Sequence, residues 1–184
     1  MPKIVSEQAF DGAEALIQRL GLDELLNEVR GIVTGFELLV EERKDANGSK
    51  VLRSLIDGQF SAAGGWNQKK SGGVDWVKQQ AINGRPRHIC IGVEIQVSGR
   101  SDMLSVDLIH LRKELLQGKI DLAVLVVPSD KLGYFLTDRV ARLSEAHRHI
   151  EMARAEDMPF VLIAIEHDGA GSALPKQGKR SSKE

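Results

Sequence analysis

The sequence is poor in the features that would place a chain outside a reducing, aqueous interior. Only one of its 184 residues is cysteine, so no disulfide can close within the chain, and a reducing cytoplasm is the expected setting. No apolar run approaches the roughly 20 residues that cross a bilayer, so no membrane partner is expected. The start, Met1-Pro2-Lys3-Ile4-Val5, has no long apolar stretch behind a basic residue and does not read as a secretory signal. An excess of one charge sign is missing too. Lys and Arg number 25 against 26 Asp and Glu, a net charge of −1. Binding to nucleic acid therefore cannot be argued from overall charge, and an enzyme acting on it would have to gather its basic groups in a cleft around an acidic metal site. There is no glycine-rich phosphate loop and no nucleophile elbow, which removes support for a small-molecule α/β enzyme. The single Cys90 sits in the apolar run Ile89-Cys90-Ile91-Gly92-Val93 and reads as a buried, inert thiol.

What is present fits an ordinary globular domain. Apolar residues make up 42% of the chain and charged residues 28%, enough for one domain with its own core. Leucine, isoleucine and valine recur at helical spacing over residues 7–34, with Gly21 and Gly31 as breaks and Asp23 as a candidate N-cap. Residues 36–40 fit either a helix or a strand, and 44–49 read as a turn. A second helix is predicted over 50–62 and ends at Gly64-Gly65-Trp66. Residues 67–73 and 79–87 are polar loops on either side of a short strand at 74–77. His88–Val97 is the clearest strand in the chain. A helix over 103–118, a buried strand at 122–127 stopped by Pro128, a long helix over 136–156 and a last buried strand at 160–165 complete the pattern. Alternating strands and helices predict an α/β fold, a mixed central sheet flanked by helices, as one domain over 1–167. From Asp168 onward glycine, serine, lysine and proline dominate, and a disordered tail over 168–184 is expected.

The chemistry-bearing positions lie on the clearest strand. In Ile91-Gly92-Val93-Glu94-Ile95-Gln96-Val97 the side chains alternate, so Glu94 and Gln96 share one face. A carboxylate fixed on a strand suits magnesium, which takes hard oxygen ligands and keeps several waters. Asp75, on the short strand upstream, can supply a second carboxylate if the two strands pair. The same alternation also describes the solvated side of an edge strand, and periodicity alone does not separate the two readings.

Resemblance separates them. Asp75-Trp76-Val77-Lys78, Val93-Glu94-Ile95-Gln96 and Ser105-Val106-Asp107-Leu108, followed by Lys119–Val124, Val127-Pro128 and Pro159–Ile163, together resemble the BglII/BstYI-type type II restriction endonucleases. These form a branch of the PD-(D/E)XK nuclease superfamily with Glu-x-Gln where most members carry Glu-x-Lys. The resemblance implies a restriction-endonuclease-like fold and site-specific, Mg2+-dependent hydrolysis of double-stranded DNA, with Mn2+ able to substitute. It implies Asp75, Glu94 and Gln96 as the catalytic set, Asp75 and Glu94 as metal ligands and the Ile95 carbonyl as a further one. It also implies a homodimer acting on a site with a GATC core. One departure stands out: eighteen residues separate Asp75 and Glu94, about twice the family's usual spacing, so the strand pairing that places Asp75 is open to question.

Arginine is the leading reader of guanine, and lysine is well suited to phosphate. Candidate DNA contacts are Arg100 and Ser101 beyond the catalytic strand, Thr137, Asp138, Arg139 and Arg142 after the Pro128 strand, Arg85 and Arg87 in the insertion, and Lys69, Lys70 and Lys78 for phosphates. Each reads equally as a solvated surface group. A dimer interface would draw on helix 103–118 or helix 7–34. The alternatives are a structure-specific repair nuclease, or a noncatalytic DNA-binding or assembly subunit, on the same fold. The intact acidic pair with Gln96 argues against the noncatalytic one.

Overall fold

The computed structural model describes residues 1–69, 74–81 and 88–176. Its centre is a six-stranded mixed sheet in the order β1-β7-β6-β5-β4-β3. The strands are β1 (Lys3–Ala9), β3 (Asn67–Gln68), β4 (Trp76–Ala81), β5 (His88–Ile95), β6 (Leu122–Pro128) and β7 (Phe160–Glu166). β5, β6 and β7 run parallel, while β1 joins β7, and β4 joins β5, antiparallel. β6 is buried along its whole length, as expected of a parallel strand covered on both faces. Its residues alternate between two cores. Leu122, Val124 and Val126 face α1 (Ala13–Leu20), α2 (Asp23–Thr34) and α3 (Ser49–Ala63). Ala123, Leu125 and Val127 face α4 (Leu104–Leu116) and α6 (Leu143–Met152). This is the mixed, helix-flanked sheet that the alternating pattern predicts.

Several elements differ from the sequence-based expectation, among them β3, which falls in the expected loop 67–73. Residues 7–9 belong to β1, not to the first helix. That strand is polar and half-exposed at the sheet edge, so its extended form comes from pairing with β7 and not from its own apolar pattern. Asp23 opens α2 as its first helical residue, with Leu22 at the cap position; its carboxylate still suits the positive end of the helix. The helix expected over 136–156 begins only at Leu143, as α6: residues 136–142 form a loop, and a separate short helix, α5 (Asp130–Phe135), precedes it. Ser129 starts α5 by accepting a hydrogen bond from the Leu132 amide at 2.9 Å. In the loop Asp138 and Arg139 hold φ of 71° and 51°, which an α-helix cannot include. Finally, the start of the expected tail is tied to the fold: β8 (Gly169–Ala170) pairs with β2 (Leu39–Val40), and Leu174 packs against the core, while residues 170–173, 175 and 176 are exposed. Residues 177–184 lie outside the described residues.

The long separation between Asp75 and Glu94 is taken up in a hairpin. β4 and β5 pair continuously from Trp76 opposite Val93 to Ala81 opposite His88. Residues 79–81, expected as loop, extend β4, and the connection falls in 82–87, outside the described residues. The extra length therefore leaves the end of the hairpin that carries Asp75 and Glu94 in register. Cys90 is buried in β5 and free, and its burial pushes the thiol up to about 11, in keeping with an inert side chain.

Candidate active site

Asp75, Glu94, Ile95 and Gln96 meet at the carboxyl end of β5, where ligands gather in open α/β sheets. Asp75 lies just before β4, and its amide donates to the Val93 carbonyl at 2.9 Å. Its carboxylate is fixed on one side: Oδ2 accepts the Ile95 amide at 2.8 Å. Oδ1 faces the Arg53 guanidinium, 2.6 Å from Nη2. Glu94 and Gln96 turn to the α4 side of the sheet, as period-2 alternation requires, and both are buried. The Glu94 carboxyl lies within electrostatic reach of Asp75.

Three carboxylates crowd this space. Burial first, then the charges of Asp75 and Asp107, push the Glu94 carboxyl well above the usual carboxylate range. Asp107, on the first turns of α4, is raised to about 6, chiefly by burial against a lowering pull from His110. Gln96 Nε2 donates to Asp107 Oδ2 and stands 3.4 Å from Glu94 Oε1. With its NH2 group between two carboxylates, Gln96 keeps its carbonyl oxygen as the group left to orient a water.

The sequence reading missed three members of this site. Arg53 on α3 donates Nη1 to the Ile95 carbonyl and Nε to Asp57 Oδ2, both at 2.9 Å, besides its contact with Asp75. Burial opposes its charge, but Asp75 and Asp57 hold its pKa above the ordinary arginine value. Asp57 is itself anchored, since Trp76 Nε1 donates to its Oδ1 at 2.8 Å. Asp107 is the third. The available signal for the first two was an opposite-charge pair at i and i+4 on a helix, which many solvated helix faces share.

As a metal site, the donor set is two carboxylates and a backbone carbonyl. Among the described residues no group of three or more His, Cys, Asp or Glu forms a ready cage. Hard oxygens with room for waters fit magnesium better than a transition metal. Burial raises Glu94 most, and a divalent cation between Asp75 and Glu94 would relieve the repulsion that adds to it.

Several of the expected DNA contacts share one place. Arg100, Thr137, Asp138 and Arg139 line an open cleft of about 550 Å³ with Asp45 and Lys176. Ser101 adjoins it, donating its amide to the Arg139 carbonyl at 2.9 Å. The cleft adjoins the carboxylates through α3. Ser49, at the start of that helix, donates its hydroxyl to Asp138 Oδ2 at 2.5 Å and its amide to Thr137 Oγ1 at 3.2 Å; Arg53 follows one turn later. The buried Asn47 ties the cleft loops together, bonding the backbone of Glu41, Phe135 and Leu174.

Other expected contacts lie elsewhere. Lys78 is held by both oxygens of Glu28, at 2.7 and 2.8 Å, beside the Trp66 ring; this joins β4 to α2 and leaves the ammonium engaged. Arg142 packs its stem against Gly133 and lies over the Tyr134 ring, and its amide is capped by Glu145 at 3.1 Å. Lys69 is exposed at the end of β3, its amide bonded to the Asp75 carbonyl. Lys70, Arg85 and Arg87 lie outside the described residues.

Comparison with known proteins gives this geometry its context. A relative, the type II restriction enzyme BamHI of Bacillus amyloliquefaciens, is 30% identical over 108 residues. The match covers 59% of this chain and 48% of that enzyme, so the chain aligns with about half the length of its curated relative. The family model described as restriction endonuclease BamHI matches residues 3–179, nearly the whole sequence, and the chain therefore belongs to the BamHI restriction endonuclease family.

Proposed function

We propose that this protein is a site-specific type II restriction endonuclease that hydrolyses double-stranded DNA with Mg2+, Mn2+ being able to substitute. The observation that carries the reading is the convergence of Asp75 Oδ1, the Glu94 carboxyl and the Ile95 carbonyl at the end of β5, beside a cleft lined by Arg100 and Arg139. These three groups would hold the cation, which when bound supplies a metal-activated water and neutralises charge developing on the phosphate. The Ile95 amide locks Asp75 so that Oδ1 faces the site. Gln96, pinned by Asp107, orients a water through its carbonyl oxygen and carries no charge of its own. The Glu-x-Gln strand supports a finer assignment within this reading, a BglII/BstYI-type active strand on a BamHI-family fold.

The reading extends to a homodimer working in the cytoplasm, since two-fold symmetric sites call for two-fold symmetric proteins. α4 offers a face for it. Val106, Ile109 and Leu116 recur at one-face spacing and are 38%, 60% and 81% exposed, an apolar stripe that a second copy of the chain would cover. No helix among the described residues is long and apolar enough to cross a membrane.

The test is plasmid cleavage with Mg2+, comparing the intact protein with Asp75→Ala and Glu94→Ala on methylated and unmethylated DNA. Discrete fragments that disappear with either substitution support the proposal, and their ends give the target. Retained DNA binding without cleavage, in Mg2+ and in Mn2+, would replace it with the noncatalytic subunit.

A further inference from the structure

Directly after β5 the site carries a neutral amide, Gln96, beside its carboxylates, so this segment brings no positive charge to a reacting phosphate. Among the described residues, Arg53 is the only cation whose hydrogen bonds reach the carboxylate cluster. It reaches that cluster through the same oxygens that a metal would need: Nη2 is on Asp75 Oδ1 and Nη1 is on the Ile95 carbonyl. Glu94 also lies within its electrostatic influence. In this arrangement the guanidinium is the counter-cation of the site.

It is also tethered independently of those oxygens. Nε donates to Asp57 Oδ2, and Asp57 is held by Trp76 Nε1 through its other oxygen. A divalent cation taking Asp75 Oδ1 and the Ile95 carbonyl would displace both Nη groups while leaving Nε in place. The freed pair of donors is a planar fork that matches two phosphate oxygens. The nearest place for such a phosphate is the adjoining cleft, because Ser49, one turn earlier on α3, is bonded to Thr137 and Asp138 of its wall.

We propose that Arg53 supplies the positive charge that Gln96 cannot, guarding Asp75 and the Ile95 carbonyl in the metal-free protein and passing to the DNA phosphate when the metal takes those oxygens. This rests on the nuclease reading above and adds a residue that touches the substrate. It implies that Arg53 opposes metal binding in the absence of DNA yet promotes cleavage in its presence, a pair of opposite effects that a merely structural role would not produce.

The experiment measures Mn2+ binding by titration calorimetry without DNA, and plasmid cleavage in Mg2+, for the intact protein, Arg53→Met and Arg53→Lys. Thermal melts check that each variant is folded. Arg53→Met should bind Mn2+ more tightly, by about tenfold if one charge-assisted contact is relieved, and should cleave at least about a hundredfold more slowly, the scale of losing one charge-stabilising donor. Arg53→Lys, which keeps a charge but not the fork, should fall between. If Arg53→Met binds Mn2+ no better than the intact protein, or cleaves as fast, the inference is overturned while the nuclease reading stands. Should Arg53→Met unfold, Arg53→Lys decides: weaker Mn2+ binding than the intact protein overturns the inference. An intact protein that neither binds Mn2+ nor cuts would overturn the nuclease reading, and this inference with it.

Discussion

Replacing Asp107 by asparagine should flatten the pH dependence of stability in the metal-free protein. Burial raises this carboxyl from 3.8 to about 6, against the pull of His110. A carboxyl raised on folding stabilises the fold while it is protonated. Its contribution is complete below the unfolded-state value and is lost as pH rises through the folded one. At about 1.4 kcal/mol per pKa unit the full effect is roughly 3 kcal/mol. Asp107 is only half-buried, and screening by water reduces this to about 1.5 kcal/mol. Much of that is already gone at pH 5, so between pH 5 and pH 8 the intact protein should lose roughly 0.7 kcal/mol more than the variant. Removing the Asp107 charge also relieves Glu94, which acts in the same direction. The asparagine keeps an oxygen to accept from Gln96 Nε2, so the amide stays in place. Urea unfolding in EDTA at four pH values between 5 and 8, followed by tryptophan fluorescence, measures this. With an m-value of about 2 kcal/mol/M the expected divergence is roughly 0.3 M in midpoint. Parallel midpoint curves for the two proteins would refute the claim that burial on folding raises the Asp107 carboxyl.

Two further outcomes test the surfaces around the site. Arg139→Ala should weaken binding to duplex DNA and reduce the slope of log K against log salt by about 1 for each phosphate that the arginine no longer neutralises. Anisotropy titrations across a salt series measure both quantities, and an unchanged slope and affinity would move the DNA away from the cleft. Ile109→Glu places a charge in the exposed stripe of α4. Light scattering should show the intact protein as a dimer and the variant as a monomer with an unaltered melt; a dimer in both would take the interface off α4.

The parts of this fold that are legible in the sequence are those in which local pattern and burial agree. β6 and β7 are β-branched runs in a parallel sheet covered on both faces, where a continuous apolar stretch is the expected signature. β5 is similar, and its period-2 alternation correctly puts Glu94 and Gln96 on one face. β1 is illegible for the opposite reason. It is mostly polar, and it is a strand only because Ile4, Gln8 and Ala9 find partners on β7. The break between α5 and α6 is hidden because Leu136, Val140 and Leu143 keep helical spacing; what opens it is the docking of Thr137 and Asp138 on Asn47 and Ser49, far away in sequence.

The same distinction divides the site itself. Glu94 and Ile95 close β5, Gln96 follows directly, and Asp75 joins them by simple hairpin pairing, so sequence order suffices to bring them together. Arg53 and Asp57 arrive on a helix that precedes the hairpin, and their approach depends on how α3 packs over the sheet through Leu52, Ile56 and Phe60. Phe60 stacks on Trp76 with ring centres 5.4 Å apart, and the same Trp76 holds Asp57 through its indole nitrogen. The aromatic packing that buries α3 thus also aims its polar side at the carboxylates. A helix face bearing one arginine and one aspartate is ordinary by itself. It becomes part of the carboxylate cluster only when tertiary contacts bring it within hydrogen-bonding distance of a strand end, which no local pattern encodes.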